Sequence, residues 1–173
     1  MSKEIEIKIL EINPIEIKKH LRASKAKFIK EVFQKNYFFE NSFTKKNHVA
    51  VRLRCEGYET TLTIKSGFKI LNNHKTVDEH ESGFSSPELA EKMLENLGLK
   101  LIRYLEIKRE YWKFYSCSIE ICKIPKIPVY LEIEGSQKNI AKVADFLGFS
   151  KKDYFPGQIM KHYRRTEKIL KFT

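Results

Sequence analysis

EIEIK, residues 4–8, alternates charged and branched apolar side chains one for one. At a period of two, Glu4, Glu6 and Lys8 share one face of a strand, and Ile5, Ile7 and Ile9 share the other. A half-buried surface strand also alternates. Here both signs of charge sit on one face, and the arrangement recurs along the chain. HVAVRLRCE, 48–56, sets Arg52 and Arg54 opposite Val51, Leu53 and Cys55. ETTLTIKS, 59–66, sets Thr61, Thr63 and Lys65 opposite Leu62 and Ile64. Glu79 and Glu81 share a face within 75–84, and Glu120 stands between Ile119 and Ile121 within 117–123. Glu132 and Glu134 alternate with Leu131 and Ile133 within 129–135, and 101–115 carries Arg109, Tyr111 and Lys113 on one side.

These segments, with 3–10 and the aromatic stretch 27–40, predict about eight strands. Three or four helices lie between them. The first begins at Asn13-Pro14, a cap followed by a first-turn proline, and ends near Ser24. A second follows Ser86-Pro87 with the apolar stripe Leu89, Ala90, Met93, Leu94 and Leu97, and stops at Gly98. A third covers 137–147, and a basic helix is expected over about 157–171. Residues 41–47 and 67–74 read as loops. Mostly consecutive strands pair antiparallel, and closure into a barrel hides every edge. The predicted class is α+β: an eight-stranded antiparallel barrel, with helices packed on its aliphatic outer face and the charged faces lining a lumen. No linker or repeat divides the chain, so 1–173 reads as one domain.

Such a lumen has a chemical preference. Crowded carboxylates repel one another, and buried charges are costly unless paired. Interleaved Arg and Lys relieve part of this and a hard divalent cation relieves more. Acids that hold Mg²⁺ or Mn²⁺ beside bases that hold phosphoryl oxygens suit a metal-bound polyphosphate.

Composition agrees. The 173 residues carry 33 Lys and Arg against 22 Asp and Glu, a formal charge of +11, which favours a polyanionic partner. Three cysteines lack metal-like spacing and read as reduced thiols of a cytoplasmic protein. Five histidines form no zinc pattern. The N-terminus is charged, so no secretory signal is expected, and no apolar run is long enough for a membrane helix. The tail KKDYFPGQIMKHYRRTEKILK mixes basic and aromatic residues as RNA binders do. The acids that share faces with the bases argue against nucleic acid.

The ordered series EIEIK, VRLRCEG, TLTIK, DEHESGF with its following helix, REYW, SIEI and YLEIEG resembles the CYTH superfamily, the triphosphate tunnel metalloenzymes. That resemblance spans about 130 residues. It implies a tunnel that binds a triphosphate with Mg²⁺ or Mn²⁺. By position it implies Glu4, Glu6, Glu120, Glu132 and Glu134 as metal acids, with Glu79 and Glu81 as a further pair for a second metal or for orienting bases. It implies Lys8, Arg52, Arg54, Lys65 and Arg109 as phosphate ligands. Glu4, Glu6, Lys8, Arg54 and Lys65 form the expected catalytic set.

Many members carry a Lys two residues before the arginine matched by Arg109; here Ile107 occupies that place, and Lys113 is the expected substitute. A His-Phe pair that precedes the signature in class IV adenylate cyclases is absent. Hydrolysis of inorganic triphosphate, thiamine triphosphate or a nucleoside triphosphate is therefore the preferred expectation. A class IV-type cyclase, making cyclic AMP and pyrophosphate from ATP, and a non-catalytic polyphosphate or nucleotide module are the alternatives. No membrane partner is expected, and a homodimer is left open.

Overall fold

The computed structural model describes residues 2–173. The barrel strands are β1 (Ser2–Ile9), β2 (Lys27–Glu40), β3 (Ala50–Glu56), β4 (Glu59–Leu71), β5 (His74–Phe84), β6 (Lys100–Phe114), β7 (Cys117–Lys123) and β8 (Tyr130–Glu134). They run in the order β2-β3-β4-β5-β1-β8-β7-β6, and β2 pairs back onto β6 to close the sheet. All eight pairings are antiparallel. The expected α+β barrel with helices outside is therefore the fold observed.

Period two decides which face is which. Ile7, Ile9, Ile119, Ile121, Leu131 and Ile133 are buried on the outer wall beneath helices α1 (Pro14–Ala23) and α4 (Gln137–Phe146). These helices contribute Ile17, Leu21, Ile140, Val143 and Ala144 to the same cluster. Full burial of one such side chain is worth about 1.5–3 kcal/mol, so this cluster commits the isoleucine faces outward. A second outer cluster joins Phe39, Val51 and Leu53 to Ala90 and Leu94 of α3 (Pro87–Asn96). The charged faces are left to the inside.

A third cluster is different in kind. Ile107 shares its β6 face with Arg109, and Tyr130 shares its β8 face with Glu132, so both belong to the lumen side. They pack with Leu105, Ile124, Ile159 and Leu170. One stretch of the barrel interior is thus apolar, filled partly from the C-terminal tail. Reciprocal backbone bonds between Lys8 and Phe155, 2.8 and 3.2 Å, tie that tail to β1.

Three expectations are corrected. The basic helix expected over 157–171 is a single turn, α5 (Ile159–His162). Arg164 adopts a left-handed φ of 50° just after it. The chain then forms a two-residue strand, β9 (Ile169–Leu170), parallel to β6 at Tyr104 and Leu105. There β9 pairs with a stretch of β6 that β7 does not reach, and backbone pairing with a buried Leu170 outweighs a solvated helix.

Residues 67–74 are not a loop either. β4 continues to Leu71, β5 starts at His74, and Asn72 and Asn73 turn between them at φ 52° and 61°. Two asparagines tolerate that left-handed geometry in a two-residue hairpin. Gly67, at φ 63°, sits at the irregularity in the β4–β5 pairing, where a Cβ would fall 2.6 Å from Asp78 Oδ2. Within 41–47, Asn41 caps a short helix, α2 (Ser42–Lys46), and exchanges bonds with Thr44 at 2.9 Å each way.

Candidate functional site

The barrel encloses a cavity of about 1240 Å³. β1 supplies Glu4, Glu6 and Lys8, β3 supplies Arg52 and Arg54, and β4 supplies Lys65. β5 adds Glu79 and Glu81, β6 adds Arg109, β7 adds Glu120, and β8 adds Glu132 and Glu134. Each reaches the lumen because its strand presents every second side chain inward.

Lys113 does not join them. It is exposed and lies outside the cavity lining, opposite Ser118 near the end of β6. Its face is right, but the strand runs on past the lumen. Sequence reasoning missed Lys75, Arg103 and the polar β2 residues Gln34 and Asn36. Lys75 and Arg103 line the cavity, while Gln34 and Asn36 are fully buried. Lys75 was concealed because Val77 interrupts the charged alternation between it and Glu79.

The pairing is dense. Lys65 lies 2.5 Å from Glu4 and 3.2 Å from Glu79. Lys8 pairs with Glu6 and, at 3.4 Å, with Glu132. Arg109 pairs with Glu120 and, at 3.3 Å, with Glu132. Arg52 approaches Glu81 at 3.6 Å and donates to Thr63 Oγ1 at 3.2 Å, and Thr63 donates to Glu81. Among the described residues Arg54 has no acidic partner and Glu134 no basic one. The Arg54 Nε is also buried without a hydrogen bond. Seven carboxylates and eight basic side chains line the cavity, so nearly all of the chain's +11 lies outside it.

Burial and crowding spread the ionisation of the acids. Burial, reinforced by hydrogen bonds with Glu79 and Glu6, raises Glu4 to about 9. Burial would raise Glu79 as well, but the Glu4 hydrogen bond and the Lys65 charge hold it at about 2. Burial opposes the ionisation of Glu6, yet Lys8 and Lys75 keep it well below the usual range. Burial raises Glu134, with Glu120 and Glu6 adding to it, and burial raises Glu120 despite Arg109. Arg52 is lowered to about 10 by burial and by Arg54 and Arg109.

The Glu4 shift has a definite sign in stability. Between its ordinary value of 4.5 and about 9, the unfolded chain is ionised while the folded chain keeps the proton. The folded state then binds more protons, so metal-free stability falls as pH rises through that window. Urea unfolding from pH 5 to 9 should show this decline, and Glu4→Gln should flatten it. An unchanged slope in Glu4→Gln would remove Glu4 as its source.

The donor set fits a hard divalent cation. Glu4, Glu6, Glu120, Glu132 and Glu134 offer only carboxylate oxygens, the ligands that Mg²⁺ and Mn²⁺ prefer. Ligand atoms of Glu120, Cys122 and Glu132 lie within 4.8 Å of one another. Glu134 still lacks a counter-charge.

Several solved structures share this fold. PH1012 of Pyrococcus horikoshii OT3 is 25% identical, with a TM-score of 0.79 over 91% of this chain and 98% of its own. A candidate adenylate cyclase of Vibrio parahaemolyticus is 12% identical, with a TM-score of 0.80 over 93% and 97%. HpAC1 of Hippeastrum, described as having a dominant triphosphatase activity, is 18% identical, with a TM-score of 0.67 over 92% and 93%. The likeness to the last two is one of fold alone. No curated protein sequence matches the chain. The CYTH domain family matches residues 2–148, the stretch that supplies every lumen carboxylate and paired base described above, and the chain belongs to that family.

Proposed function

We propose that this chain is a metal-dependent enzyme that hydrolyses a triphosphate inside the barrel. Family membership supports triphosphate processing at the level of the superfamily. One observation carries the reading further. Among the described residues a single lumen holds, beside its paired network, a cationic group with no acid, Arg54 and Arg103, and an acidic group with no base, Glu134. One group awaits an anion and the other a cation, which is what a metal triphosphate brings.

In this reading Lys8, Arg52, Arg54, Lys65 and Arg109 bind phosphoryl oxygens, Arg through its fork and Lys as a point charge. Glu4, Glu6, Glu120, Glu132 and Glu134 would hold Mg²⁺ or Mn²⁺, which supplies charge neutralisation at the transferred phosphoryl group. Glu79 and Glu81 orient Lys65 and Arg52, the bases they pair with.

The cyclase alternative has its own support. Phe38, Ile107, Ile159 and Met160 line the same cavity, and an apolar wall next to a phosphate cradle suits a nucleobase or another organic group. A turnover screen decides. Inorganic triphosphate, thiamine triphosphate and ATP would each be incubated with Mg²⁺, Mn²⁺ or EDTA, and all products identified. Metal-dependent release of orthophosphate is the expected result. Cyclic AMP with pyrophosphate from ATP would transfer the assignment to a cyclase. Tight binding without turnover would make the chain a binding module.

A further inference from the structure

Lys75, at the start of β5, faces Glu6 across the β1–β5 pairing. Its Nζ lies 2.8 Å from Glu6 Oε1, the same oxygen that holds Lys8, and its side chain is 17% exposed. The two ammonium groups are not equivalent. Lys8 has a second acid, Glu132, whereas Glu6 is the one acid paired with Lys75 among the described residues. An ammonium has three donors, so Lys75 keeps spare donors next to the cavity. The Phe68 ring, with its centroid 5.5 Å from that nitrogen, braces it from the β4–β5 hairpin.

At position 107, where the family resemblance leads one to expect a lysine, the wall is apolar. Ile107 is buried among Leu105, Ile124 and Tyr130, with Ile159 of the tail against them. An ammonium there would be stripped of water among aliphatic groups. Ile159 lies beyond residue 148, outside the family match, so this packing belongs to the chain's own tail. At position 107 the β6 wall carries no cation, although Arg103 enters the cavity further along the same strand, and β5 carries one, Lys75, that no motif announces.

We propose that Lys75 is a phosphoryl-binding residue that takes over from the cation absent at 107 and draws one end of the polyanion toward the β1–β5 wall. The proposal rests on the triphosphate reading of the cavity, and its test separates the two. Inorganic triphosphate would be titrated calorimetrically in EDTA, where binding reports the bases alone. The proteins would be wild type, Lys75→Met, Lys75→Arg and, as a control, Lys45→Met on exposed α2. A hydrogen bond to a charged group is worth about 1.5–3 kcal/mol, so Lys75→Met should weaken binding about tenfold to a hundredfold. Lys75→Arg should recover most of that loss, and Lys45→Met should match wild type.

Wild-type binding with an equal affinity in Lys75→Met overturns the proposal and leaves the reading of the cavity intact. No binding by wild type, either in EDTA or in a parallel titration with Mg²⁺, overturns both. Should Lys75→Met fail to fold, a crystal structure of wild type with triphosphate gives the answer. A Lys75 Nζ within about 3.2 Å of a phosphoryl oxygen supports the role. Lys75 still bonded to Glu6 alone removes it.

Discussion

Arg54→Ala is expected to lower kcat/KM for the preferred triphosphate by about 10²–10³, the scale of removing one preorganised charge-stabilising donor. The side chain has no acid to satisfy, so its loss leaves no buried carboxylate stranded. Stability should therefore change little, unlike a deletion of Arg109, which would expose Glu120 and Glu132 to one another. Steady-state kinetics with a parallel thermal melt measures both. Wild-type turnover in a folded Arg54→Ala protein would remove Arg54 from the phosphate cradle. A large fall in melting temperature would reassign it to the structure.

Glu134→Gln should raise the metal concentration needed for half-maximal activity by about tenfold to a hundredfold or more. Loss of a residue that merely supports a metal ligand already costs that much. The change keeps the side chain's shape and removes a carboxylate with no cation of its own. Metal-free stability should hold, because Glu134 is exposed and pairs with no base among the described residues. Mn²⁺ and Mg²⁺ titrations of activity, together with urea unfolding in EDTA, provide the two readouts. An unchanged metal requirement would place the cation elsewhere in the lumen.

Much of the barrel was legible because its signal is local. EIEIK, VRLRCE, TLTIK and YLEIE each carry their inside and outside faces in the order of their residues. Once α1 and α4 cover the isoleucines of β1, β7 and β8, and α3 covers Val51 and Leu53, Glu4, Glu6, Lys8, Arg52, Arg54 and Lys65 have one direction left. The same rule failed for Lys113, because alternation gives a side chain's face and not its height along the strand. It also failed for Lys75, where Val77 broke the visible pattern although the inward register continued through it. The tail misled for a related reason. Its helical periodicity was weak, and what settled 169–170 was an open stretch on the edge of β6, which no neighbouring residue in the sequence reveals.

By itself, the sequence determined which faces are ionic and which aliphatic, and hence an antiparallel barrel with a charged interior, since side-chain direction along a strand follows from residue order alone. The tertiary structure alone decided the pairings across the lumen, the isolation of Arg54 and Glu134, the entry of Lys75, and the apolar filling around Ile107. Those depend on strand register and barrel closure, which bring together residues far apart in the chain.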